Sequence, residues 1–146
     1  MTLKELLAEG RLEPRPTSKD EIQSLLKVAE RSMNDALVEQ LSSDGRFNFA
    51  YDAALQLATV TLRCAGYRTK GEGHHATVFE ALPEVMGSDV RARAGYLQKC
   101  RKIRNLSTYS RSGMVSLGEV KELIMQCQEF SDSVHAWIKE KYPKYL

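Results

Sequence analysis

Phe47-Asn-Phe-Ala-Tyr-Asp-Ala-Ala-Leu-Gln-Leu-Ala-Thr-Val-Thr-Leu-Arg-Cys-Ala-Gly66 is the stretch on which the fold turns. Its residues are helix-compatible throughout and apolar on nearly every side. A helix of that kind is central and covered by neighbours, and its many alanines let those neighbours approach closely. Asp52 is its acidic exception. It serves either as a solvated group at one edge or as a partner for a buried arginine.

Upstream, Ser18-Lys-Asp-Glu21 is a capping box. Ile22, Leu25, Leu26, Ala29, Met33, Ala36, Leu37 and Leu41 follow at three- and four-residue spacing, which predicts a long amphipathic helix ending in the turn residues Ser42 to Gly45. Further back, Thr2-Leu-Lys-Glu5 opens a short helix that stops at Gly10, and Pro14 and Pro16 keep the connector extended. Residues 1–17 thus read as an arm, and residues 18–146 as the main body.

Downstream, a basic glycine-containing loop from Tyr67 to Gly73 leads to His74, His75 and a helix carrying Val78, Phe79, Ala81 and Leu82. Pro83 either ends this helix or starts a second short turn through Met86. Ser88 and Asp89 cap a helix with Val90, Ala94, Leu97, Cys100 and Ile103 on one arc, and Gly113 breaks the chain. Ser116-Leu-Gly-Glu119 is a third capping box, opening a last helix with Val120, Leu123, Ile124, Cys127, Phe130, Val134, Trp137 and Ile138. No strand-like alternation of useful length intervenes. The expectation is an all-α fold: an antiparallel four-helix-type up-down bundle with additional short helices.

The net charge of +2 is too small to make the whole surface a nucleic-acid binder, so the distribution of charge decides. Leu3, Leu6 and Leu7 are interrupted by Lys4 and Glu5, which is no signal-peptide core, and no apolar run approaches the ~18 residues of a membrane span. Cys64, Cys100 and Cys127 have neither CxxC nor Cys/His spacing, which favours reduced, buried thiols and a cytoplasmic location. No cofactor motif is present, and the adjacent His74 and His75 diverge by about 100° on a helix, so no metal site is expected. His135, beside Trp137, reads as packing or surface.

Charge concentrates in one segment, where Arg91, Arg93, Lys99, Arg101, Lys102, Arg104 and Arg111 stand against Asp89 alone. The segment is either an RNA or nucleotide surface or a solvated face balanced by acids such as Glu119, Glu122, Glu129 and Asp132. Arg104 differs from the others because it falls within the core-facing arc, between Leu97 and Cys100. A guanidinium there requires a carboxylate, carbonyl, phosphate or wet cleft. A structural salt bridge to Asp52 or a glutamate and an anion-binding role both satisfy that need. Asn105, Ser107, Thr108, Tyr109 and Ser110 add polar groups suited to phosphate and sugar, or to a fraying helix end. One of His74 and His75, at a helix start beside Arg68 and Lys70, belongs either to an anion site or to an exposed cap.

The order of these parts from Ser18 to Ile138 resembles the HEPN domain family, the higher eukaryotes and prokaryotes nucleotide-binding family. The resemblance is carried by Phe47 to Ala54 with Cys64-Ala-Gly-Tyr67, by Lys70-Gly-Glu-Gly-His-His75 before Val78-Phe79, and by Arg104-Asn105. It implies a homodimeric bundle that binds RNA or a nucleotide, often encoded beside a nucleotidyltransferase-like partner in toxin–antitoxin or defence modules. Active members are metal-independent endoribonucleases whose motif is an Arg, a polar residue and a His a few positions on. Arg104 and Asn105 match the first two elements, and Tyr109 occupies the place of the histidine.

The resemblance therefore implies a site of Arg104, Asn105 and Tyr109, with Arg101, Lys102, Arg111, Lys70, His74 and His75 as the surrounding RNA- or nucleotide-binding groups. Histidine, with a pKa near ~6.5, moves protons at neutral pH, whereas tyrosine, near ~10, does so poorly. Residues five apart on a regular helix diverge by about 140°, so Arg104 and Tyr109 converge only where the helix ends or two subunits share a cleft. Weak or lost ribonuclease activity follows. The alternative is a non-catalytic dimeric interaction module that receives a nucleotidyltransferase-like partner protein.

Overall fold

The computed structural model describes residues 1–109 and 115–146, the side chains of residues 106–109 excepted. The elements run α1 (Leu3–Ala8), β1 (Leu12–Pro14), α2 (Lys19–Ala36), α3 (Ser43–Cys64), β2 (Tyr67–Thr69), α4 (His74–Met86), α5 (Arg91–Tyr109) and α6 (Leu117–Lys141). Single 3-10 turns at Ser88–Val90 and Pro143–Tyr145 precede α5 and follow α6. The fold is all-α with short extra helices.

α3 is the central element and packs against α2, α4, α5 and α6. Ala50, Ala53, Ala54 and Ala58 are buried on it, so small side chains stand where four neighbours crowd one backbone. Around them Phe47, Tyr51, Phe79, Phe130, Leu97 and Leu123 close the core. Ser42 caps α3 by accepting from the Gly45 N–H, so the first part of the expected turn is instead a helix start.

α2 ends at Ala36, one turn before its apolar periodicity does, and Leu37, Val38 and Leu41 remain exposed. The cause is tertiary. The buried Arg46 of α3 donates from Nε to the Ala36 carbonyl at 2.8 Å, satisfying a terminal acceptor that another helical turn would have used. α4 runs through Pro83 to Met86, and Gly87, at a φ of +110°, ends it in a conformation open mainly to glycine.

A short two-stranded antiparallel ribbon accompanies the helices: Leu12 faces Thr69, Glu13 faces Arg68 and Pro14 faces Tyr67. Strands of three residues leave no alternation to read. The ribbon, with Leu6 and Leu12 buried in the common core, seats the N-terminal arm on the bundle. Arg63 completes the joint from inside. Its guanidinium donates to Glu21 and to the carbonyls of Arg15, Pro16 and Tyr67, so one buried cation binds the arm, α2 and β2 to α3. Arg11 similarly reaches Thr77 and Glu80 of α4. Among the described residues, no helix is long and apolar enough to cross a membrane.

Candidate functional site

The glycine loop and α4 build one wall of the site. Gly71 and Gly73 both have positive φ, and Gly73 stands at the N-cap of α4 with no side-chain capping bond. Gln98 of α5 donates from Nε2 to the Ala76 carbonyl at 2.9 Å and accepts from Arg101 Nε at 2.9 Å, which fixes α5 against the first turn of α4. Arg101 and Asn105, four residues apart, therefore share the face turned to that end. Gly73, His74, His75, Ala76, Arg101 and Asn105 line a pocket of about 370 Å³.

α3 lies behind this wall and contacts His75 and Arg104. The fully buried Tyr51 has its hydroxyl 3.1 Å from His75 Nδ1. The Arg104 guanidinium carbon lies 5.1 Å from the Tyr51 ring centroid, a cation–π contact, and Arg104 Nη2 lies 3.6 Å from Asp52 Oδ1. The arginine on the core-facing arc thus meets an aromatic face and a carboxylate. Of the two roles left open by the sequence, the salt bridge to Asp52 is present. It is longer than a charge-assisted hydrogen bond, and both side chains reach solvent, at 27% and 41% exposure.

These neighbours set the protonation chemistry. Burial depresses the His75 imidazolium below its ordinary range, the Arg104 charge adds to the effect, and Asp52 opposes it. Burial raises the Asp52 carboxyl despite the attraction of Arg104 and then His75. Burial also pushes the Tyr51 phenol up to about 12, so it keeps its proton at neutral pH. The guanidiniums of Arg101 and Arg104 and the Asn105 amide favour a ligand that accepts hydrogen bonds.

His74 lines the same pocket but is exposed, with Nδ1 2.8 Å from Thr69 Oγ1. The remaining sequence-derived candidates are dispersed. Lys70 Nζ is 3.9 Å from Glu13 Oε2, toward the ribbon, and Lys102 is exposed away from the pocket lining. Arg111 lies outside the described residues, as does the side chain of Tyr109, the last residue of α5. Among the described residues, no group of three or more His, Cys, Asp or Glu is placed to hold a metal ion.

Tyr51 and Gln98 are the participants that the sequence did not single out. Gln98 stands three residues before Arg101, a spacing that signals a helical neighbour, whereas Tyr51 looks like any other core aromatic. A larger cavity of about 440 Å³ lies between α2, α3 and α6, lined in part by Leu26, Met33 and Leu57. Its rim mixes Lys27 with Glu30 and Asp132, whereas the described lining of the smaller pocket holds Arg101 and no carboxylate. Compared with protein-family models, with curated proteins and with solved structures, the chain matches none.

Proposed function

We propose that the protein binds phosphate groups of RNA or of a nucleotide at the α4–α5 pocket, as the HEPN resemblance implies, and assembles as a homodimer. The observation that carries this reading is the convergence of Arg101, Asn105 and His75 on one pocket, with Arg104 beside His75. Phosphate oxygens accept only, and arginine matches them with a planar fork of donors.

Anisotropy of a labelled oligoribonucleotide, with AMP as competitor, tests the proposal. Arg101→Ala and Arg104→Ala should each weaken binding about tenfold, roughly 1.4 kcal/mol, and lower the salt slope by about 0.7 per cation removed. No binding below millimolar concentration, or binding indifferent to both substitutions, would remove it. Incubation with tRNA in chelator extends the test to cleavage, where only activity lost in Arg104→Ala would add a ribonuclease role.

The Arg104–Asp52 ion pair favours a second reading, in which Arg104 braces the bundle and the protein is an interaction module for a nucleotidyltransferase-like partner. Normal RNA affinity in Arg104→Ala, with a lowered melting temperature, is the result that would select it.

A further inference from the structure

We infer that Tyr51 is a positioning residue that fixes His75 as the Nε2–H tautomer, so that the pocket offers an incoming phosphate oxygen an imidazole N–H beside the Arg101 guanidinium. The ligand class rests on the function proposed above. The tautomer rests on geometry alone.

Tyr51 is fully buried, so its hydroxyl hydrogen must find an acceptor inside the protein. Among the described residues its hydrogen-bond partner is His75 Nδ1, at 3.1 Å. A hydrogen on Nδ1 would turn the phenol into the acceptor and leave its own hydrogen unbonded in a dry interior, which is costly. The lone pair of Nδ1 therefore faces Tyr51, and the ring hydrogen sits on Nε2. The phenol cannot readily swing elsewhere. Phe79 packs edge-on against the Tyr51 ring at 6.0 Å and 71°, and Arg104 covers its face.

Double protonation of the ring is opposed by its surroundings. Arg104 and Arg101 approach from α5 and His74 from α4 itself, while Asp52 of α3 alone favours it. His75 is half-buried and lines the pocket, and Nε2 has no hydrogen-bond partner among the described residues. With Arg101 and Asn105 on the same pocket, the group presented is a donor where a base for a ribose hydroxyl would need a lone pair. The site thus suits a phosphate ester held through its non-bridging oxygens, in a mononucleotide or in RNA.

Long-range nitrogen–proton spectra of the full-length protein, labelled at its imidazoles and recorded near pH 8, test the assignment. His75 is identified by its disappearance in His75→Gln. We expect a pyridine-type Nδ1 and a pyrrole-type Nε2 in the wild type, and a mixed population in Tyr51→Phe, which keeps the ring and removes the hydroxyl. AMP and a short oligoribonucleotide should each bind Tyr51→Phe about threefold more weakly, a loss of roughly 0.6 kcal/mol. An equal loss for both identifies the phosphate as the shared determinant, and a loss for the oligoribonucleotide alone assigns the site to RNA.

A wild-type spectrum with Nδ1 protonated would overturn the inference without recourse to any variant, as would an unchanged tautomer in Tyr51→Phe. The expected tautomer without phosphate binding by the wild type would instead overturn the proposed function and the donor role with it, leaving the tautomer in place.

Discussion

Asp52→Asn separates the two demands on Arg104. The amide keeps the shape of the carboxylate but removes the charge 3.6 Å from Arg104 Nη2. Two unit charges at that separation attract by about 1 kcal/mol in water. With 41% of the Asp52 side chain exposed, screening and side-chain entropy reduce the pair to about 0.2–1 kcal/mol. A phosphate drawn to the same guanidinium competes with Asp52 and is repelled by it, so the substitution should tighten binding of a labelled oligoribonucleotide about two- to fivefold. The gain should shrink as KCl is raised, because exposed charges are screened within ~10 Å at 0.1 M. Anisotropy titrations at low and physiological salt measure both effects, and a thermal melt checks that the fold is intact. Weaker binding by a folded Asp52→Asn protein would refute the reasoning, since it would mean that Asp52 holds Arg104 in its binding pose and does not compete for it.

Three further outcomes concern the frame. Arg63→Ala deprives three buried-end carbonyls and Glu21 of their donor at once, and should cost about 3 kcal/mol or more in urea unfolding, with Arg63→Lys recovering only part because it lacks the planar fork. Burial pushes the thiols of Cys64 and Cys100 up to about 11 and that of Cys127 to about 12. They should react slowly with a disulfide reagent at pH 8 until urea is added. Because these folded-state values lie above the ordinary 9.0, the folded chain holds more protons than the unfolded one above that pH. Their contribution to stability is therefore complete below pH 9 and lost as pH rises through about 11 for Cys64 and Cys100 and about 12 for Cys127, and a melting temperature that climbs over this range would contradict the assignment.

The central helix and the last helix were legible because their evidence is local. Ala50 to Ala58 shows by composition that several neighbours crowd it, and Val120 to Ile138 shows one stripe at helical spacing; both stretches are buried as that pattern requires. The end of α2 was not legible, since Leu37 and Leu41 continue the period and only Arg46, on another helix, stops it. At the site, the arc of α5 already demanded a partner for Arg104 and offered Asp52. The contact of Tyr51 with His75 was beyond reach, because periodicity ranks the faces of a helix but does not say which side chains of two helices meet where they cross.

The ribbon between β1 and β2 has a consequence for how the chain is made. Its first strand leaves the ribosome long before Tyr67 to Thr69 exist to receive it, and Arg11 waits for Glu80, 69 positions later. α2 and α3, joined by a short turn, close far less chain and can pair early. The arm, made before its partners, is thereby seated late, as a clasp over helices already in place. Because β2 leads directly into Gly71, Gly73 and His74, fastening that clasp also fixes where the wall of the pocket begins.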